Sequence, residues 1–280
     1  MRVGHYDVFS IETGRFALDG GAMFGVVPRV LWAKAHPPDE ENRIALASRA
    51  MLLVGEERKI LVDVGNGDKY SDKLRSIYKI DASRFNIVAS LRQHGLTPAD
   101  ITDVILTHLH FDHAGGSTEL VDGTLHPTFP RATYYVQRDH WQAATHPTDR
   151  DRASFFADDF LPLKEHGVLQ LTDGEGELMP QVRLKLVHGH TTALQCPVIS
   201  DGTKTIFYCA DLMPTTSHVQ LPWIMAYDLR PLVTLEEKRS VLQEAVEQNW
   251  MLFFEHDPSV AAVTVKQTGK GIGVDTPIEV

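Results

Sequence analysis

Cysteine is scarce in this sequence, which has 280 residues and two cysteines, Cys196 and Cys209. Two cysteines cannot form the disulfide framework of a small secreted domain, so a reducing compartment is the simpler expectation. The first residues show no apolar core beside a basic end, and no apolar run approaches the roughly 18 residues of a membrane span. These absences predict a cytoplasmic protein that does not associate with membranes.

Basic side chains are also in short supply: 27 Lys and Arg stand against 37 Asp and Glu, giving a formal net charge of -10. The mean field of such a protein repels nucleic acid, and no cluster of Lys or Arg in the sequence offsets it. We therefore expect a small-molecule substrate and no nucleic-acid partner. The sequence leaves open whether the chain forms a homodimer.

Short β-rich runs alternate with helical patterns, which is typical of an α/β protein. The clearest predicted helix begins with a capping-box pattern, Thr234 followed by Glu237. Predicted helices cover residues 82–96, 138–144 and 234–249, and predicted strands cover residues 47–55, 59–65, 100–107, 132–137, 182–189, 204–211 and 250–258.

Two segments show neither pattern. Residues 19–43 are rich in Gly and Pro, and residues 146–163 are polar with interspersed aromatic residues. We expect both to be long loops, either over a binding face or as plain surface elaboration, and the sequence favours neither alternative.

Three histidines and an aspartate crowd the stretch THLHFDHAGG, at the end of a predicted strand. His108 and His110 are two positions apart, so their side chains point the same way in an extended segment. Asp112 and His113 follow, and the glycines after them let the backbone turn tightly. Neutral imidazole and carboxylate suit zinc, iron, manganese or cobalt rather than calcium or magnesium. The stretch therefore predicts a transition-metal site.

Further metal-ligand residue types occur where other predicted strands end. His190 follows the run VRLKLV, Asp211 ends the run TIFYCAD, and His256 follows the run WMLFF. Loops beyond strand ends are common places for functional sites. We expect these three side chains to complete the metal site.

Together these residues resemble the motifs of the metallo-β-lactamase fold superfamily. Its H-x-H-x-D-H motif is the stretch from His108 to His113, and its D-x-G turn matches Asp63 and Gly65. The resemblance covers residues 45 to 260 and is nearest the branch of quorum-quenching lactonases and methyl-parathion-type hydrolases. It implies a single domain over residues 1–280, built as a four-layer αβ/βα sandwich with two mixed β-sheets flanked by helices.

The resemblance also implies two divalent metal ions, zinc first, with iron, manganese or cobalt as alternatives. A hydroxide between the ions would be the nucleophile, and Asp112 would hold it and pass a proton to the leaving group. Asp63 is expected to orient a ligand or fix its turn rather than bind metal. The implied ligands form two sets joined by one carboxylate: His108, His110 and His190 for the first ion, Asp112, His113 and His256 for the second, and Asp211 as the bridge.

A pocket for the substrate is expected in the segment after Asp211. His218, Trp223 and Tyr227 either line this pocket or pack as an ordinary loop. We predict that His218 or Tyr227 reaches the metal-bound solvent, replacing a tyrosine that such lactonases carry where this chain has Pro214. His188 is predicted to lie at the surface or to line the site. Six other histidines that lack a strand-end context are predicted to lie on the surface: His5, His94, His126, His140, His146 and His166.

The function that this resemblance implies is metal-dependent hydrolysis of a small ester or lactone. Thioester cleavage, as in glyoxalase II relatives, and phosphotriester hydrolysis are alternatives within the same chemistry. A redox alternative is a persulfide dioxygenase, which uses one iron and the first ligand set alone. The complete second ligand set argues against it. A non-catalytic binding protein would be expected to lack ligands, and none is missing here.

Overall fold

The computed structural model describes residues 1–83 and 86–280, and the chain divides into two compact units. The first unit comprises Met1–Arg15 and Ser48–Glu175, and the second comprises Phe16–Ala47 and Gly176–Val280. Each unit has its own helices and contains most of one large sheet, and residues 16–19 and 43–47 of two strands of the first sheet are counted with the second unit. The expectation of a single domain over residues 1–280 stays a prediction.

The first unit is built on a seven-stranded mixed sheet with the strand order β1-β2-β3-β4-β5-β8-β9 among the described residues, and β6 and β7 pair as a separate hairpin. The neighbours β4, β5, β8 and β9 run parallel, whereas β3 and β4 form the predicted antiparallel hairpin. The strands are β1 (Arg2–Val3), β2 (Tyr6–Asp19), β3 (Arg43–Val54), β4 (Lys59–Val62), β5 (Asp103–Ile105), β6 (Thr118–Val121), β7 (Thr124–Pro127), β8 (Thr133–Gln137) and β9 (Leu169–Thr172).

The second unit has a seven-stranded sheet in which the described strands follow chain order, β10 to β16. The β13–β14 pair is parallel, because the chain makes a long helical crossover between them, and the other pairs are antiparallel. The strands are β10 (Gly176–Met179), β11 (Val182–Val187), β12 (Leu194–Ser200), β13 (Thr205–Tyr208), β14 (Met251–Phe253), β15 (Ala262–Thr268) and β16 (Gly271–Ile278).

Helices pack against each sheet through their apolar faces. In the first unit, helical Leu91, Trp141 and Phe160 belong to one buried cluster with apolar strand residues such as Val104. In the second unit, the last helix packs on β15 through its buried face. The α-helices are α1 (Gly20–Phe24), α2 (Arg29–Trp32), α3 (Asp72–Tyr78), α4 (Ile87–Gln93), α5 (Phe111–Ala114), α6 (Arg138–Thr145), α7 (Ala157–Glu165) and α8 (Pro231–Glu247).

The predicted helices are present, with shifted ends. Helix α6 agrees with its prediction to within one residue at its end. Helix α4 lies inside the predicted range 82–96, of which residues 84 and 85 lie outside the described residues. Helix α8 begins at Pro231 rather than Thr234, because proline fits the first turn of a helix.

The expectation of two long loops was wrong in part. Residues 19–43 contain α1 and α2, and Asp19 begins α1 by accepting a hydrogen bond from the Ala22 N–H at 2.8 Å. Residues 146–163 lead into α7, which buries Phe160 and Leu163. Burial of aromatic side chains stabilises these short helices. They were not predicted because the sequence around those side chains has no long helical periodicity. None of the described helices is long and apolar enough to cross a membrane.

Candidate metal centre

The histidine-rich stretch of the first unit folds as a tight turn after β5 and ends in the single-turn helix α5. All four predicted ligands in it are buried, with 0 to 8% of their surface exposed. His108 Nε2 lies 3.0 Å from His110 Nδ1, and the His108 and His113 ring centroids are 3.9 Å apart. Asp112 Oδ1 is 3.9 Å from His113 Nε2. The turn thus gathers three imidazoles and a carboxylate.

The glycines after the motif are required by close packing. A Cβ atom on Gly115 would lie 2.0 Å from the Asn66 carbonyl oxygen, and one on Gly116 would lie 2.3 Å from that of Val64. The Val64 N–H also donates to the His113 carbonyl at 3.0 Å. The backbone after β4 therefore presses directly against the ligand-bearing turn and holds it in place.

Asp63 orients the same turn from within the first unit. Its carboxylate accepts hydrogen bonds from the Thr107 N–H and hydroxyl, both at 2.7 Å. Its Oδ2 also lies 3.1 Å from His113 Nδ1, which donates to it. A carboxylate that accepts from Nδ1 leaves Nε2 of His113 as the ring nitrogen available to a metal.

The prediction that His140 lies on the surface was wrong. It is fully buried on α6, and its Nε2 accepts a hydrogen bond from the Leu109 N–H at 2.8 Å. Leu109 lies between His108 and His110, so His140 fixes the backbone that carries both. Sequence reasoning missed it because the helical face of α6 decides which way His140 points.

The second unit brings its three predicted ligands together, with the two histidines on either side of the Asp211 carboxylate. Asp211 Oδ2 lies 3.1 Å from His190 Nε2, and Asp211 Oδ1 lies 3.4 Å from His256 Nε2. All three side chains are buried, with 1 to 6% of their surface exposed. Each oxygen of Asp211 therefore faces a different histidine.

The other ring nitrogen of each of these histidines is fixed by a buried acceptor. His190 Nδ1 donates to Asp228 Oδ1 at 2.8 Å, and His256 Nδ1 donates to the Ala47 carbonyl at 2.9 Å. Both rings consequently present Nε2 toward Asp211. Sequence reasoning missed Asp228 because it lies far from His190 along the chain and has no motif of its own.

A glutamate on α8 secures the loop that carries His190. Glu237 accepts hydrogen bonds from the N–H groups of His188 at 2.6 Å and Gly189 at 3.0 Å. The predicted capping box of Thr234 and Glu237 was therefore wrong, since both residues lie inside α8 and the carboxylate holds a different segment. His188 is exposed, and its Nδ1 accepts from the Ala193 N–H at 3.2 Å.

The structure gives contacts within the second unit for two of the three predicted substrate-binding residues, His218 and Trp223. His218 Nε2 donates to the Met23 carbonyl at 2.9 Å, and its Nδ1 accepts from the Thr215 hydroxyl at 2.8 Å. Burial lowers the pKa of His218 to about 3, so the ring is neutral. Trp223 packs edge-on against Phe24, which also stacks on His218. The reach of His218, Trp223 and Tyr227 to a substrate stays a prediction.

The histidine-rich turn and the cluster around Asp211 both consist of residue types that bind transition metals. Burial lowers the pKa of His190, but the Asp211 and Asp228 carboxylates outweigh it and raise that pKa to about 10. Such a buried cluster favours a cation. The ligand atoms of His190 and Asp211 lie within 4.8 Å of one another, and so do those of His108 and His110 and those of Asp112 and His113. Imidazole and carboxylate at this spacing fit zinc, iron, manganese or cobalt.

Comparison with known proteins gives the family. The family model described as "Metallo-beta-lactamase superfamily" matches residues 43–256. The chain belongs to this superfamily, and its two mixed sheets with flanking helices have the metallo-β-lactamase fold. The predictions of family and fold class are confirmed.

Two similar proteins have descriptions that name an enzyme class. An N-acyl homoserine lactonase of Bacillus thuringiensis is 26% identical over 174 residues, which cover 61% of this chain. This chain spans about 62% of the length of that relative. A solved structure described as a probable metal-dependent hydrolase from Staphylococcus aureus has a TM-score of 0.91 and 30% identity, and the match covers 100% of this chain and 99% of that one.

A second solved structure confirms the fold alone. AidC, described as a dizinc quorum-quenching lactonase in complex with a product, has a TM-score of 0.80 and 20% identity. The match covers 100% of this chain and 97% of that chain. The predicted resemblance to the lactonase branch is confirmed by the sequence relatives that are named N-acyl homoserine lactonases.

Proposed function

We propose that this protein is a dinuclear metal-dependent hydrolase that cleaves a small lactone or ester. The observation that carries the proposal is the position of Asp211, whose two carboxylate oxygens face His190 and His256 at 3.1 and 3.4 Å. These histidines belong to different ligand sets in the superfamily pattern. A carboxylate placed between them is suited to bridge two cations.

The proposed centre takes its ligands from the residues that match the superfamily pattern. In this pattern the histidine-rich turn would supply two ligands to each ion, and His190, His256 and Asp211 would supply the others. Three protein ligands and one shared carboxylate at each ion would leave room for solvent or substrate. The first ion would be held by His108, His110 and His190, the second by Asp112, His113 and His256, and both by Asp211.

When bound, the two ions would lower the pKa of a water molecule and polarise the substrate carbonyl. Zinc is the proposed metal, with iron, manganese or cobalt as alternatives. The chain's own contribution is orientation: Asp63 and Asp228 accept hydrogen bonds from ligand histidines, so that each Nε2 stays aimed at the centre. Asp112 is the proposed catalytic carboxylate, which holds the attacking water and later passes its proton to the leaving oxygen.

The proposed substrate is a small lactone, because the relatives with known names are lactonases. Tyr227 is the favoured donor to the substrate oxygen, since it keeps 36% of its surface exposed whereas His218 is buried.

We also propose that the protein is located in the cytoplasm. Cys196 and Cys209 are buried and form no disulfide, and burial raises the pKa of the Cys209 thiol well above its usual value.

The test is hydrolysis of a substrate panel by protein loaded with zinc. A lactone, an aryl ester, a thioester and a phosphotriester should be compared, with the lactone or ester expected to give the highest kcat/KM. Asp112→Asn should lower kcat on the best substrate by about 10²-fold or more, because general acid–base catalysis is lost. His188→Ala is the matched control and should keep wild-type activity. Hydrolysis of the thioester or phosphotriester alone would contradict the proposed substrate class.

A further inference from the structure

A cavity separate from the predicted ligands lies within the second unit. Its volume is about 860 Å³, and α8, the residues from Thr216 to Pro222 and the β15–β16 hairpin line it. Small-molecule sites commonly have volumes of roughly 300–1,000 Å³. None of the predicted metal ligands is among its described lining residues. The cavity is therefore large enough for a ligand of its own.

The most deeply buried residues that line this cavity are apolar. Val219 and Leu242 are almost fully buried, with 1 and 2% of their surface exposed. Ile272 and Val274 add apolar surface from the hairpin, and Val274 keeps 39% of its surface exposed. An aliphatic chain would gain burial against these side chains.

The charge of the cavity opposes that of the whole chain. Arg239 and Lys270 are the charged side chains among its described lining residues, in a chain with a net charge of -10. Arg239 pairs with Glu236 at 3.3 Å, but both are mostly exposed, so the pair is weak. Lys270 forms no ion pair within the described part of the chain. Gln243 and Gln267 add amide groups nearby.

The wall formed by residues 216–222 is fixed from its far side. Lys238 is fully buried, and its Nζ donates to the carbonyls of Gln220 at 3.1 Å, Leu221 at 3.3 Å and Trp223 at 2.6 Å. The Thr216 N–H and hydroxyl both donate to Asp257, at 3.0 and 2.6 Å. A preformed wall lowers the entropic cost of binding.

We propose that this cavity binds a small amphipathic carboxylate, with its aliphatic body against Val219 and Leu242 and its carboxylate beside Lys270 and Arg239. Charge-assisted hydrogen bonds from the two cations would select an acid over an amine or an alcohol of the same length. This site does not depend on the metal centre. Its failure would leave the proposed hydrolase function untouched.

Octanoate is the probe, and isothermal titration calorimetry is the measurement. Octanoate should bind the metal-loaded protein, and its affinity should stay within about twofold after chelation and removal of the metal. Octylamine and octanol should bind at least about tenfold more weakly. Loss of octanoate binding on metal removal, or equal binding of octylamine, would overturn the proposal.

Paired variants make the test specific. The double variant Arg239→Gln, Lys270→Gln should weaken octanoate binding at least about tenfold. The matched control, Arg183→Gln with Lys204→Gln, removes two exposed cations of the same unit that do not line the cavity. It should bind octanoate as the wild type does. Equal loss in both double variants would show a general charge effect and would overturn the proposed site.

Discussion

Asp228 accepts a hydrogen bond from His190, with 2.8 Å between Oδ1 and Nδ1, and both side chains are buried. This contact joins two loops of the second unit that are 38 residues apart. It fixes the tautomer of His190 and turns its Nε2 toward Asp211. An orienting carboxylate of this kind strengthens the ligand that it holds.

Removal of that carboxylate should weaken metal binding without removing a ligand. Asp228→Ala is expected to lower zinc affinity by about 10- to 100-fold, because His190 loses its orientation. Asp228→Asn should restore part of the loss, since an amide oxygen also accepts from Nδ1. Competition with a zinc chelator measures the affinity, and Glu177→Gln, an exposed acid of the same unit, is the control. Wild-type affinity in Asp228→Ala would refute the orienting role.

His140 should matter for folding, although it is not a predicted ligand. His140→Ala leaves the buried Leu109 N–H without its acceptor, which should lower the free energy of unfolding by about 1–3 kcal/mol. Urea unfolding followed by circular dichroism gives this quantity. His146→Ala, at the exposed C-cap of the same helix, should change it by no more than about 0.5 kcal/mol. Equal stability of the two variants would contradict the assigned hydrogen bond.

The candidate metal ligands could be picked out from the sequence because each of them lies at the end of an apolar strand or in the H-x-H-x-D-H stretch. The residues that orient these ligands and their loops could not be predicted in the same way. Asp228, Glu237 and His140 come from distant parts of the chain, and only the fold brings each of them to its partner. The pattern of Thr234 and Glu237 is typical of a helix start, yet tertiary contacts give Glu237 another role and Pro231 begins the helix.

The short elements were also beyond sequence reasoning. Helices α1 and α2 lie in a Gly- and Pro-rich segment, where buried Phe24 and Trp32 stabilise single turns that show no periodicity. The β15–β16 hairpin is largely exposed and polar toward its tip, so its alternation is weak. Long apolar strands were predictable because burial dictates their composition.

Lys238 should give stability a pH dependence of known sign. Burial lowers its pKa from 10.5 to about 7, so between these values the unfolded chain binds more protons than the folded one. Stability should therefore rise as the pH rises through this window, by at most about 1.4 kcal/mol per pH unit. Urea unfolding at pH 7.5 and 9.5 should show this rise in the wild type and a smaller rise in Lys238→Met. Equal slopes would contradict the lowered pKa.

Tyr227 should affect turnover more than stability. It is 36% exposed and directly precedes Asp228 in the predicted substrate segment. If its hydroxyl donates to the substrate oxygen, Tyr227→Phe should lower kcat by about 10²-fold with unchanged metal content. Steady-state kinetics on the best substrate test this. Tyr135→Phe, whose hydroxyl bonds Asp103, is the control. Wild-type turnover in Tyr227→Phe would leave this segment as structural packing.

The number of metal ions per chain tests the dinuclear centre most directly. Wild-type protein, reconstituted with zinc and freed of excess metal, should contain about two ions per chain by elemental analysis. His256→Ala should contain about one, because it removes a ligand of the second ion and leaves the first set intact. One ion in the wild type, with no change in His256→Ala, would contradict the account.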